Sequence, residues 1–280
     1  MAQELKIVFF GDIVGKPGRQ GIAKILPEIT ANFKPDLIIA NIENAAHGKG
    51  ITDNTLQYLA NLGITVFTSG EHIYDKVEVA GAADLQRPNS GDSLFNDFPR
   101  LLRPANFEIQ GPGRGEVIVE TNQGKVLVIS LIGQVFFRYQ NLSPWTYLPE
   151  ILERYKKENL AGIIIDFHAE ATSEKVALFR HFDGQVSAIL GTHTHIPTAD
   201  AQISEKGTAY VTDVGMNGPA DSVIGMKTEV SLERFLTGKY TSYDIAESDS
   251  VCLNYIELTL DSETGKALKI DHYHPIVDLK

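Results

Sequence analysis

"AILGTHTHIPTAD" occupies residues 188–200. An apolar run stops at Gly191, and His193 and His195 follow with one residue between them. A short apolar run closed by glycine reads as a buried strand. If the chain stays extended past that strand, both rings point to one side, because alternate residues share a face. Such a pair can serve one metal centre or two adjacent metals.

Four other apolar runs end in the same way. "IVFF" leads into Gly11 and Asp12, and "LIIA" into Asn41, Glu43 and Asn44. "TVFT" leads into Gly70, Glu71 and His72, and "GIIID" into His168. In open α/β sheets, ligand sites form beyond the carboxyl ends of strands. Five such ends can therefore converge on one cleft. Carboxylates mixed with imidazoles suit Zn, Mn or Fe. Taken singly, each residue has an ordinary role: an aspartate caps a turn, a histidine is satisfied in a core, an asparagine holds a loop. Five coincidences at five strand ends outweigh those readings.

Around these ends the chain alternates strands and helices. "KIVFF" (6–10) is followed by a helical pattern in "RQGIAKILPEITANF", which Pro27 is expected to kink or split. "DLIIA" precedes a helix between Thr52, a suitable N-cap, and Gly63, then "ITVFT" forms a third strand. Residues 86–115 carry Pro88, Pro99, Pro104 and Pro112 and few periodic apolar positions, so irregular structure is expected there. "EVIVETNQGKVLVISLIG" reads as a hairpin turning at Asn122, Gln123 and Gly124, followed by an aromatic loop, "FFRYQNLSPWTY". That loop suits a cap that stacks a base, a subunit interface or plain packing.

Helices are expected near 148–158, 173–181 and 228–237, and strands at 162–166, 186–190, 251–261 and 266–276. No repeat or linker interrupts residues 1–280, so the reading is one domain of two packed mixed sheets with helices outside.

Composition narrows the partners. The 280 residues are 43% hydrophobic, which suits a globular core, and the net charge of −11 argues against an extended nucleic-acid surface or an acidic membrane. A small phosphate ligand remains compatible, because a bound metal supplies local positive charge. The single cysteine, Cys252, has no internal disulfide partner and reads as a buried strand residue. No stretch approaches the ~20 apolar residues that span a bilayer, and "KIVFF" is too short for a signal peptide. The expected location is cytoplasmic.

The other histidines read as ordinary. His272 and His274 in "DHYHPI" fit a surface strand, His47 in "AAHGKG" a loop, and His181 a helix end. "GDIVGKPGR" is not a phosphate-binding P-loop, because Pro17 follows Lys16 where Ser or Thr is required.

The motifs "GDIVGKPGR", "NIENAAHGKG", "GEHIYD", "DFHAEATSEK", "GTHTHIPTAD" and "TAYVTDVGM", in that order, closely resemble the YmdB-type branch of the calcineurin-like metallophosphoesterases. The likeness covers nearly the whole chain. It implies an α/β fold, a four-layer αββα sandwich of two mixed β-sheets flanked by helices. It also implies two divalent or mixed-valence metal ions per chain, Fe or Mn first and Zn as an alternative. The implied activity is a metal-dependent phosphodiesterase, with 2′,3′-cyclic nucleotides or cyclic AMP as substrates, in a cytoplasmic homo-oligomer with no membrane partner.

By that resemblance, Asp12 and His195 hold one metal, Glu43 bridges, and His168 and His193 hold the second. Asn44 stands beside the first metal as ligand or hydrogen-bond donor, and His72 faces the substrate. One position departs. The family pattern at "GEHIYD" is Gly-Asn-His, and here the amide is replaced by Glu71. Three carboxylates against two dications leave one formal positive charge instead of two. That weakens attraction to an anionic diester, or favours trivalent iron.

The expected reaction is in-line attack on phosphorus by a water whose pKa the two ions lower, with His72 assisting the leaving oxygen. A barrel amidohydrolase also uses a His-x-His pair, but there the pair closes the first strand, where this chain has Gly-Asp. The alternative from another class is a regulatory nucleotide- or metal-binding protein, with little or no turnover because of Glu71.

Overall fold

The computed structural model describes residues 3–76, 90–108, 111–242 and 244–280. The chain runs β1 (Glu4–Phe10), α1 (Gly15–Asn32), β2 (Leu37–Asn41), α2 (Asp53–Asn61), β3 (Val66–Thr68) and α3 (Ser90–Asp97). It continues through β4 (Glu116–Thr121), β5 (Gly124–Ile132), α4 (Pro144–Tyr155), β6 (Leu160–His168), α5 (Thr172–Phe182) and β7 (Ala188–Thr192). The last part comprises β8 (Gln202–Ile203), β9 (Ala209–Val211), β10 (Gly218–Pro219), α6 (Thr228–Thr237), β11 (Ser250–Cys252), β12 (Tyr255–Asp261), β13 (Ala267–Tyr273) and β14 (Ile276–Asp278).

Two large sheets result. The first has strand order β13-β12-β1-β2-β3, with β1, β2 and β3 parallel and β12 antiparallel to β1. The second has order β4-β5-β6-β7-β9-β8, parallel from β5 through β9 and antiparallel at both edges. Both are mixed, as expected. A small third sheet joins β10, β11 and β14.

Strand alternation makes the layers. On β1, Ile7 and Phe9 face inward and pack with Val126, Val128, Ile164 and Leu190 of the second sheet. Val8 and Phe10 face outward and pack with Ile22, Leu26 and Ile29 of α1 and Leu56 and Leu59 of α2. The second sheet repeats the arrangement. Its outward Leu127, Ile129, Ile165 and Phe167 pack with Leu148 and Ile151 of α4 and Leu178, Phe179 and Phe182 of α5. Period-two alternation sends each strand's apolar residues to two cores, so central strands are apolar on both faces. The result is the αββα sandwich. Each fully buried Leu, Ile or Phe contributes roughly 1.5–3 kcal/mol, so three such cores dominate the folding energy.

The local reading needs correction in four places. First, Pro27 does not split α1, which continues from Gly15 to Asn32 as one helix. Proline leaves one carbonyl of the preceding turn unpaired, but buried Leu26 and Ile29 on either side keep the helix on the sheet. Second, residues 90–97 of the supposedly irregular stretch form α3, anchored by buried Leu94 and Phe95; part of that stretch lies outside the described residues. Third, the expected strand 251–261 is two strands in different sheets, and 266–276 also divides. Cys252, on the first piece, is only half-buried, with its thiol on the carbonyls of Met216 and Gly218. Fourth, α4 starts earlier than read, because Pro144 occupies its first turn, where a missing N–H costs nothing.

Candidate metal centre

The five strand ends meet. β1, β2 and β3 finish at the seam where β6 and β7 also finish, all running in the parallel sense within their sheets. The first sheet delivers Asp12, Glu43, Asn44, Glu71 and His72; the second delivers His168, His193 and His195. Asp12, Glu43, Asn44, His168 and His195 are buried, while Glu71 and His193 are half-buried.

One group of ligand atoms is tight. A carboxylate oxygen of Glu43, one of Glu71, and ring nitrogens of His168 and His193 all lie within 4.8 Å of one another. His168 Nε2 is 3.1 Å from Glu43 Oε1, 3.0 Å from Glu71 Oε2 and 3.0 Å from His193 Nδ1. Gly70 makes room for this. A Cβ there would collide with the His168 ring and the Glu43 carboxylate.

The other residues lie beside it. Asp12 Oδ1 is 3.8 Å from His168 Nδ1 and 3.9 Å from His195 Nε2. His195 Nε2 is 3.1 Å from Asn44 Nδ2, which in turn donates to Glu43 Oε1 at 3.3 Å. Glu43 Oε1 thus borders both groups, as a bridging carboxylate would. Asp12 Oδ1 is buried and has no hydrogen-bond partner. An orphaned carboxylate oxygen in the interior is costly unless a cation meets it. Nitrogen and oxygen donors in this mixture fit Mn, Fe or Zn.

Crowding of acids and imidazoles shifts their protonation in both directions. Burial pushes the Asp12 carboxyl up to about 6, against the pull of His195 and His168. Burial alone would also raise Glu43, but His168, in hydrogen-bond contact, outweighs it and holds the carboxyl below its ordinary range. Burial and then His168 push His193 down, which favours the neutral ring that ligates. At His72 burial would lower the ring's pKa. The Asp75 hydrogen bond, Glu43 and Glu71 outweigh it and raise it.

The loop carrying the histidine pair is not extended. β7 ends at Thr192, and His193 and His195 take positive φ of 102° and 67°. This corrects the expectation that both rings share a side. The left-handed turns separate them: His193 joins His168 and Glu71, while His195 joins Asp12 and Asn44. Its Nδ1 is fixed by the Ile224 carbonyl at 2.9 Å.

Behind these candidate ligands lie residues outside the expected set. His168 Nδ1 contacts Thr192 Oγ1 at 2.9 Å, and Thr192 donates to Asp166 Oδ1 at 2.7 Å. Asn41 donates to Asp166 Oδ2 at 2.9 Å while its own Oδ1 accepts the Glu43 amide at 3.2 Å, so its loop-holding role is real. Partners of this kind fix which ring nitrogen faces the metal. Glu170 Oε2 lies 2.9 Å from His193 Nε2. The motif "DFHAE", with an acid two residues after His168, was the available signal. In the aromatic loop, the Phe137 ring packs 5.0 Å from His193 and 6.4 Å from His168.

The remaining histidines divide. His47 is itself exposed and lies in a loop, as expected. His181 closes α5 against Trp145 and Phe182. His272 and His274 are not a plain surface strand. His272 Nε2 contacts the Val214 carbonyl at 2.9 Å, and His274 Nδ1 contacts Asn254 Oδ1, between β11 and β12, at 2.9 Å, so each ties the end of β13 to a neighbouring segment.

Two mixed sheets stacked between helices, with acids and imidazoles gathered at the carboxyl ends of their strands, define the metallophosphoesterase class. The family model described as YmdB-like protein matches residues 8–273, and the chain belongs to that family. It is 40% identical over 267 residues to the 2′,3′-cyclic-nucleotide 2′-phosphodiesterase of Bacillus subtilis (strain 168), covering 95% of this chain and 96% of that protein. Among solved structures, a phosphatase from Mycoplasma pneumoniae superposes with a TM-score of 0.86 at 34% identity, covering 99% of this chain and 95% of that one. A hypothetical protein from Thermus thermophilus superposes with a TM-score of 0.85 at 34% identity, covering 97% of this chain and 99% of that one.

Proposed function

We propose that this protein is a metal-dependent phosphoric diester hydrolase acting on small phosphodiesters, with 2′,3′-cyclic nucleotides as the substrate class. The carrying observation is the compact set of Glu43, Glu71, His168 and His193 ligand atoms. The activity named for the Bacillus subtilis relative supports the substrate class; cyclic AMP is the second candidate.

Asp12, Asn44 and His195 would hold one ion, His168, His193 and Glu71 the other, and Glu43 would lie between them. Bound there, such ions supply Lewis acidity toward phosphoryl oxygens and a nucleophilic hydroxide at neutral pH. The chain's own residues do the rest. Asp75 accepts from His72 Nδ1 at 2.9 Å, which orients the ring and leaves Nε2 for the leaving oxygen. The raised pKa of His72 keeps that nitrogen protonated further toward neutral pH. Donation to the leaving oxygen is worth ~10²–10⁴-fold. Phe137 packs against one side of His193 and His168.

The deciding experiment is hydrolysis of bis-p-nitrophenyl phosphate and of 2′,3′-cyclic AMP by the purified protein, with added Mn²⁺ and with EDTA. Turnover that requires metal is expected on both. Binding of the cyclic nucleotide without hydrolysis in Mn²⁺, Fe²⁺ or Zn²⁺ would replace this reading with the regulatory one.

A further inference from the structure

Two consecutive residues near the start of α5 are both buried, Glu174 and Lys175. Neither is placed there by the core. A cation near a helix N-terminus sits at the unfavourable end of the dipole, and a buried ammonium is costly without a partner. Lys175 has one. Its Nζ lies 2.7 Å from Asp213 Oδ2, and both side chains are buried.

What this pair grips is the ligand loop. Lys175 Nζ donates to the Thr192 carbonyl at 2.7 Å. Asp213 Oδ2 accepts from the Thr194 amide at 3.0 Å and from its hydroxyl at 2.8 Å. Asp213 Oδ1 accepts from the Gly215 amide at 2.8 Å. The backbone on either side closes the frame: Val214 N donates to the Gly191 carbonyl at 2.8 Å, and Met216 N donates to the His195 carbonyl at 2.9 Å. The only residue between the two ligands, Thr194, is therefore held by the ion pair.

The loop needs such a frame. His193 at φ 102° and His195 at φ 67° are in a region that non-glycine residues rarely adopt. Strained backbone persists where its surroundings over-determine it. Glu174 grips the opposite wall, accepting from the amides of Gln134 and Val135 at 2.9 and 3.2 Å.

We propose that Lys175 and Asp213 are positioning residues that hold residues 192–194 so that His193 and His195 diverge toward two neighbouring ligand groups. The role rests on the metal reading of the site. Removing the pair should loosen metal binding while leaving the sandwich folded.

The test uses Lys175→Met/Asp213→Asn, which removes both charges together and keeps an amide oxygen at 213. Mn²⁺ affinity is read by calorimetry, the bound ion by electron paramagnetic resonance, and folding by circular dichroism. The expected result is a folded protein whose Mn²⁺ dissociation constant rises about ten-fold or more, with an altered Mn²⁺ spectrum. Lys175→Arg, which keeps a buried donor cation, should recover part of the affinity.

Unchanged Mn²⁺ affinity in the folded double variant overturns the proposal. If that variant does not fold, Thr194→Val decides instead. It deletes one bond to Asp213 from a half-buried residue, and unchanged affinity there is equally fatal. A parent protein that binds no Mn²⁺ would sink the metal reading itself, whereas equal binding by parent and variants sinks only the positioning role.

Discussion

The two sheets contribute opposite chemistry to one seam. The ends of β1, β2 and β3 bring all three carboxylates, Asp12, Glu43 and Glu71. The ends of β6 and β7 bring all three imidazoles of the ligand set, His168, His193 and His195. Neither sheet holds a complete site. A cation bound here is therefore held by both layers, and its affinity is linked to their docking. The difference also shows how the acids are balanced. Burial would lower the pKa of the His168 ring, but Glu43 and Glu71 outweigh it and raise it well above its ordinary value, so a cation entering between them displaces a proton from the ring.

Breaking the imidazole side should have the largest effect. His168→Ala is expected to abolish diester hydrolysis and to lower bound metal, read by elemental analysis. EDTA treatment of the parent should reproduce the loss and lower its melting temperature. His72→Ala is next. It should keep its metal content and lose ~10²–10⁴-fold in turnover; retention of most turnover would show that the leaving oxygen needs no donor from this ring.

Glu71→Asn sharpens the acidic side. It removes one negative charge beside the substrate, worth about 1 kcal/mol or roughly five-fold at close range in water. The KM for an anionic diester should fall, with a smaller preference for trivalent iron; a KM that stays put would mean the charge is fully screened.

The smallest effect concerns His272. Burial lowers its pKa, with His274 adding to that and the Val214 and Thr198 carbonyls and Asp213 opposing it. The unfolded chain then binds a proton near pH 6.5 that the folded one does not, so stability falls as pH drops through that range. His272→Asn should flatten that acid limb in thermal melts; an unchanged limb would place the acid sensitivity elsewhere.

Much of this was legible in the sequence because strand ends carry two signals at once, an apolar period and a sudden polar residue. Asp12, Glu43, Glu71, His168, His193 and His195 were found that way, and the structure gathers them. The direction of the His193 and His195 rings was not legible. It depends on φ values set by Asp213 and Lys175, residues remote from the loop in sequence and unremarkable in their own segments. Asp166 and Thr192 escaped for a related reason, since their contact exists only once β6 and β7 pair, and Glu170 was signalled only by its place two residues after His168. The helix α3 was missed because its short apolar stretch carries too little periodicity to outweigh the flanking prolines. Its two buried side chains are long-range contacts.

One pairing sets a timetable for the molecule. β1 lies between β2 and β12 and takes all of its antiparallel partners from Tyr255–Asp261. During synthesis that edge stays open until β12 emerges. Contacts this distant in sequence close slowly, and an unpaired apolar strand is a template for wrong partners. A chain cut short before β12 leaves the β1 edge bare.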